Sequence, residues 1–283
     1  MGGASLPAWA TRQTVLHSPV MRALRLLCLL AAAASLLSAQ QWAKSRLEHS
    51  PRHREIVRIA HDGRTVSAFV AYPEASGKRP VVLVIHEIFG LSDWAQEATD
   101  ELAAAGYVAI APDLLSGEGP GGGGSESFSG QTAIGRAISL LPPAQITADL
   151  NAAADWALKQ PASNGKLYVV GFCWGGGQSF RFATQRHDLA AAFVFYGVPP
   201  PRAAMAQLTA PVYGFYAGND ARVSGTVPDT RLAMKALKKK YTAVIYPGAG
   251  HGFMRAGEQP DPTPANQKAR DAAWTRLQQL IKK

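Results

Sequence analysis

From about residue 55 onward, short apolar runs alternate with longer amphipathic stretches. Ile56-Val57-Arg58-Ile59 and Val66-Ser67-Ala68-Phe69-Val70-Ala71 alternate around His61-Asp62-Gly63-Arg64, which predicts a hairpin closed by an Asp-Gly turn. Pro80 opens Val81 to Ile85, a continuous apolar run of the kind a parallel strand covered on both faces requires. Further strands are expected at Tyr107–Ile110, Leu167–Val170, Ala192–Tyr196, Val212–Ala217 and Ala243–Tyr246. Helices are expected at Ser92–Ala105, closed by Gly106, and at Pro143–Gln160 with Pro143 in the first turn. Others follow at residues 175–186, 228–240 and 263–282. Strands alternating with helices predict an α/β fold, a single domain over 55–283 with a mostly parallel central sheet and helices on both faces. Residues 40–54 are polar and basic and read as a loose arm, and residues 116–130 are Gly/Ser-rich and read as a nearly structureless connection.

The first 39 residues break this rhythm. Met21-Arg22-Ala23-Leu24-Arg25 forms a charged start, Leu26 to Leu37 an apolar stretch, and Ser38-Ala39-Gln40 a small-residue cleavage site. This is the pattern of a signal peptide beginning at Met21, too short to span a bilayer as an ordinary helix. Residues 1–20 read as an N-terminal extension outside the leader. Export to the periplasm or beyond is therefore expected. Of the two cysteines, Cys28 would leave with the leader, so Cys173 remains without a disulfide partner.

The formal charge is +9; residues 1–39 hold three arginines and no acid, leaving 26 basic against 20 acidic side chains, or +6. Such a field favours anionic small molecules over neutral ones. No dense Lys/Arg patch is interleaved with aromatics, so nucleic acid is not an expected partner. The histidines are scattered and no phosphate-loop or dinucleotide pattern is present, so neither a metal nor a cofactor is expected. A monomer acting on a small molecule is the expectation.

The chemistry concentrates in Gly171-Phe172-Cys173-Trp174-Gly175-Gly176, which follows an apolar strand and precedes a helix. A side chain pinched between glycines at such a turn is the nucleophile elbow of α/β-hydrolases, with a thiol here in place of the commoner hydroxyl. A thiol nucleophile needs a base, and the base needs an orienting group. In that fold the acid and then the histidine follow in chain order, each after a strand. Asp220 ends Tyr213-Gly214-Phe215-Tyr216-Ala217-Gly218-Asn219-Asp220, and His251 sits in Pro247-Gly248-Ala249-Gly250-His251-Gly252-Phe253. Glu87 follows the strand ending at Ile85 and is expected beside the thiol, where like charges disfavour the thiolate. His86 is read as a packing residue.

Together with His86-Glu87-Ile88-Phe89-Gly90, Ala111-Pro112-Asp113-Leu114 and His251-Gly252-Phe253-Met254-Arg255, these motifs resemble the dienelactone hydrolase family over about residues 55–280. The resemblance implies a Cys173-His251-Asp220 triad and an oxyanion hole from the Ile88 and Trp174 amides. It implies that Glu87 holds the thiol neutral until substrate binds, and that Arg255 contacts a substrate carboxylate. It implies a carboxylic ester or lactone hydrolase, a carboxymethylenebutenolidase or a broader esterase, working through a thioester. A non-catalytic binding protein on the same fold and an acyltransferase are the alternatives. Asp113-Leu114-Leu115-Ser116-Gly117 lacks the arginine that family members acting on dienelactone carry nearby, and Gly252 stands where a serine is common. Both departures favour the broader esterase.

Overall fold

The computed structural model describes residue 1 and residues 40–282. The predicted leader, its cleavage site and the N-terminal extension after Met1 lie outside the described residues. The chain divides into two units, 1–42 and 43–283, and all eight strands belong to the second. No helix among the described residues is long and apolar enough to cross a membrane.

The strands are β1 Arg54–His61, β2 Arg64–Ala71, β3 Arg79–Ile85, β4 Val108–Pro112, β5 Ser163–Phe172, β6 Leu189–Phe195, β7 Val212–Ala217 and β8 Tyr241–Tyr246. The helices are α1 Gln41–Glu48, α2 Asp93–Ala104, α3 Gln131–Leu140, α4 Pro143–Leu158, α5 Trp174–Ala183, α6 Arg202–Met205, α7 Ala221–Ser224, α8 Val227–Ala236, α9 Phe253–Ala256 and α10 Pro264–Ile281. One sheet carries the order β1-β2-β4-β3-β5-β6-β7-β8. β1, β2 and β4 pair antiparallel, and every neighbour from β4 to β8 is parallel. The expected fold class is therefore the observed one. The Asp-Gly turn holds Asp62 and Gly63 at φ 45° and 72°, the two positive angles a two-residue hairpin needs.

β3 and β5 lie at the centre, and Val81 to Ile85 and Val169 to Phe172 are almost wholly excluded from water. Burial on both faces explains why these strands read as unbroken apolar runs. Their carboxyl ends carry the loops that build the site, as open parallel sheets favour.

Two expectations need correction. The arm over 40–54 holds a helix, α1, whose Ala43 and Leu47 are buried. Leu47 packs with Phe69, Ala71 and Ala103, and Arg52 forks onto Asp100 at 3.0 and 2.6 Å. Two apolar residues four apart suffice to seat a short helix, although its other positions are polar. The Gly/Ser-rich connection is also ordered. It forms 3-10 turns at Pro120–Gly122 and Ser125–Ser127. Asp113 accepts from the Ser125 amide at 2.7 Å and the Ser125 hydroxyl at 2.6 Å, so one buried carboxylate organises the loop. The stretch after it folds as α3, which was not expected, and a Cβ added to Gly135 of α3 would meet Ile88 at 3.5 Å.

Candidate active site

At the end of β5 the chain turns sharply into α5. Cys173 occupies that turn at φ 56°, ψ −118°, a left-handed backbone that a non-glycine residue adopts only under constraint. Its amide donates to the Phe195 carbonyl at 3.0 Å, pinning the turn to β6. The flanking glycines are required by close approach. A Cβ on Gly171 would lie 1.9 Å from the Gly175 carbonyl oxygen, and one on Gly175 would lie 2.3 Å from the Ile85 carbonyl oxygen. Both obstacles are backbone atoms that cannot rotate away. Gly175→Ala is expected to destabilise the protein by about 1–3 kcal/mol, as overpacking does. Thermal unfolding checks this, and an unchanged melting temperature would show that the elbow tolerates a side chain.

Asp220 and His251 come from the loops after β7 and β8. These loops are tied together by Gly218 N–H to Tyr246 O at 2.8 Å and Asn219 N–H to Ala249 O at 2.8 Å. Asp220 caps α7 by accepting the Val223 amide at 3.3 Å, which orients its other oxygen toward the histidine. His251 Nδ1 lies 2.5 Å from Asp220 Oδ2, and its Nε2 lies 3.1 Å from Cys173 Sγ. With Nδ1–H donating to the carboxylate, Nε2 is free to accept from the thiol. The three residues expected from sequence thus form one continuous chain of hydrogen bonds. Beyond α9, Glu258 accepts from Trp94 Nε1 at 2.8 Å and from Arg270 Nε at 2.6 Å. Trp94 meets Phe172 edge-on at 5.0 Å, so the segment after His251 is braced against the elbow strand.

The backbone amides of Trp174 and Ile88 act on the Cys173 thiol in the direction that favours its thiolate. Cys173 also precedes the first turn of α5, whose dipole favours negative charge there by about 0.3–1 kcal/mol. These effects are outweighed. Burial first, and the Glu87 carboxylate second, push the thiol up to about 11. The resting thiol is neutral at physiological pH.

Glu87 is 2% exposed, and burial raises its pKa against the opposing pull of Arg255. Arg255 donates from Nε to Glu87 Oε2 at 2.8 Å, and its guanidinium lies over the Phe89 ring at 5.1 Å. Arg255, expected from the resemblance to contact a substrate carboxylate, is paired through Nε with Glu87 in this structure. A buried carboxylate recruits the nearest cation because leaving it unpaired is costly. His86 is fully buried; its Nδ1 donates to the Glu87 carbonyl at 2.8 Å and its Nε2 accepts the Leu114 amide at 3.4 Å. It packs on Trp174 at 5.7 Å, in keeping with a packing role.

The groove holding Cys173 and His251 has a volume of about 380 Å³. Ile88, Trp174, Val198 and Pro199 to Pro201 make an apolar wall. Arg222 and Tyr196 are among the lining residues that were not anticipated. Arg222, on α7, is exposed and lowers the thiol pKa by its charge, though as the smallest of the effects acting on it. Tyr196 is 1% exposed, sits at φ 40°, and has a hydroxyl without a hydrogen-bond partner among the described residues. Arg222 lies two residues past Asp220 at a helix start, a placement that sequence could have suggested. Nothing in the sequence singles out Tyr196.

A thiol on a strand-to-helix elbow, with histidine and carboxylate from later strand ends, defines an α/β-hydrolase architecture. The crystal structure of a Klebsiella pneumoniae "putative dienelactone hydrolase" superposes with a TM-score of 0.72 at 28% identity, covering 82% of this chain and 99% of that one. An Anabaena variabilis dienelactone hydrolase shares the fold with a TM-score of 0.61 at 21% identity, covering 83% of this chain and 98% of that one. A Salmonella typhi protein named "putative carboxymethylenebutenolidase" is 34% identical over 211 residues, 70% of this chain and 77% of that protein. An Escherichia coli K12 protein of the same name is 33% identical over 208 residues, 69% of this chain and 75% of that protein. The profile of the dienelactone hydrolase family matches residues 66–283. The chain belongs to the dienelactone hydrolase family and is a hydrolase.

Proposed function

We propose that this protein is an exported hydrolase of carboxylic esters or lactones in which Cys173 is the nucleophile, His251 the general base and acid, and Asp220 the orienting carboxylate. One observation carries the reading: Asp220, His251 and Cys173 form an unbroken hydrogen-bond chain that ends at the thiol on the elbow. The thiol proton passes to His251 Nε2 as Sγ attacks the carbonyl carbon. The carbonyl oxygen, now anionic, accepts the Ile88 and Trp174 amides, each worth about 2.7–4 kcal/mol in the transition state. His251 returns the proton to the departing alkoxide, leaving a thioester. Water, deprotonated by His251, then attacks the thioester and regenerates the thiol.

Glu87 has a regulatory part in this scheme. Its charge keeps the thiol protonated between turnovers, until attack on a bound substrate passes that proton to His251. A neutral thiol resists oxidation, which suits an exported chain whose mature form would hold one cysteine. The leader pattern at residues 21–39 supports export. The names carried by the Salmonella and Escherichia relatives support a butenolide-type lactone as one substrate, while the missing arginine near Leu115 and the glycine at 252 support a wider ester range.

Turnover of a small ester and a small lactone, followed as acid release in a pH-stat, tests the reaction class. Free acid in proportion to substrate consumed is the expected result; consumption without acid would indicate transfer to another acceptor. Arg222→Gln is expected to lower kcat/KM for an anionic ester by up to about fivefold, the scale of an exposed charge contact, and to leave a neutral isostere unchanged. Equal losses on both esters would assign Arg222 a structural part instead.

A further inference from the structure

The groove at Cys173 has a neighbour on the other side of its proline wall. A second cavity of about 620 Å³ lies between α6 and α8, and Pro199 lines both spaces. The same two chain segments, 198–202 and 222–226, border first the groove and then this cavity. Val198 in the groove is 45% exposed and Leu232 in the cavity is 66% exposed. Large exposed apolar side chains in two adjoining spaces suit covering by an apolar partner. Pro199 to Pro201 strengthen this, because prolines have no N–H to offer a polar ligand and their fixed φ makes the wall preformed. Arg202 and Asp229 also line the cavity, but with opposite charges, so it presents no net charge to select an ionic group. Apolar contact with Met205, Leu232 and Ala233 is its distinguishing feature.

We infer that the two spaces form one substrate groove, and that the preferred substrate is an ester bearing an apolar acyl or alkyl tail several methylenes long, which runs past Pro199 into the α6–α8 cavity. This rests on the ester hydrolase reading above and adds the substrate class. Adjacency to the thiol's groove is what selects a tail of the substrate as the occupant, since any group reaching the cavity from the scissile carbonyl must follow the proline wall.

The test uses two homologous series, 4-nitrophenyl esters from acetyl to dodecanoyl and acetates of alcohols of increasing length. In at least one series kcat/KM should climb by about two- to fourfold per methylene until the cavity is filled. Ala233→Trp should abolish that climb and leave acetate turnover unchanged. Leu232→Glu, at an exposed position where folding is not at stake, should blunt it in the same way. Acetate turnover with no length dependence in either series would overturn the inference, as would a climb that survives both substitutions. Failure of every ester, acetate included, would instead remove the hydrolase reading and this inference with it.

Discussion

Cys173→Ala is expected to reduce ester turnover by at least about 10³-fold, with the fold and melting temperature little changed. The size follows from how such relays behave: removing the nucleophile leaves only binding and the oxyanion donors, a small residue of the total acceleration. The side chain is partly exposed, and its hydrogen-bonding side-chain partner among the described residues is His251 at 3.1 Å, so little packing is lost. Removing a side chain at φ 56° for a smaller one does not relieve the backbone constraint, because alanine has the same Cβ. Cys173→Ser is a sharper comparison. It keeps the shape, but the hydroxyl is a poorer nucleophile unless its base is close, so activity between that of Ala and wild type is expected. Ester hydrolysis that is equal in wild type and Cys173→Ala would remove Cys173 from the mechanism. Circular dichroism and thermal unfolding on the same samples establish that each variant is folded.

Glu87→Gln is expected to move the thiol titration in the acid direction, and iodoacetamide alkylation at fixed neutral pH should accelerate by about tenfold for each unit of that movement. The sign is set by charge. The Glu87 carboxylate is the second cause, after burial, of the thiol's rise to about 11. Its removal takes away a like charge, and the Arg255 guanidinium it held at 2.8 Å is then uncompensated beside the thiol. Both changes favour the thiolate. Burial, the larger cause, is unaltered, so the titration stays above the ordinary cysteine range of about 8.5. Gln can still accept the Arg255 Nε–H, so the local hydrogen bond survives. Alkylation rates across pH, read by mass, measure the midpoint directly. A midpoint that does not move, or moves alkaline, would show that Glu87 does not restrain the thiol. The same variant should lose activity faster under peroxide, because the thiolate is the form that oxidises.

The parts of the site that were legible in sequence share one property: local backbone geometry requires particular residue types. The elbow needs small residues at 171 and 175, since a Cβ at either would strike a carbonyl oxygen. Asp220 and His251 are readable because each directly follows an apolar strand and is announced by glycines. The central strands are readable because burial on both faces permits only apolar residues. What was not legible depends on partners distant in sequence. Arg255 matches a motif associated with substrate, yet it pairs with a glutamate 168 positions away. The loop over 116–130 looked unstructured because its composition is glycine and serine, and it is ordered by Asp113, which lies before it. Helix α1 is seated by only two buried side chains, too few to impose a pattern. The cavity between α6 and α8 is formed by two short helices and a proline run, features that carry no periodic signal at all.

In the proposed scheme these residues divide into two tasks: Asp220, His251 and the two amides serve the attack of the thiol, while Glu87, held in place by Arg255, restrains it until a substrate arrives. The balance is local, since Glu87, Ile88 and Arg255 come from the loops after β3 and β8 that flank the elbow.

The most direct measurement is the mass of the Cys173-containing peptide after rapid acid quenching of the enzyme during turnover of 4-nitrophenyl acetate. The account predicts a peptide heavier by one acetyl group on the sulfur, present during turnover, lost when substrate is exhausted, and absent from Cys173→Ala. Ester turnover without an acylated Cys173, or the same turnover in Cys173→Ala, would contradict it.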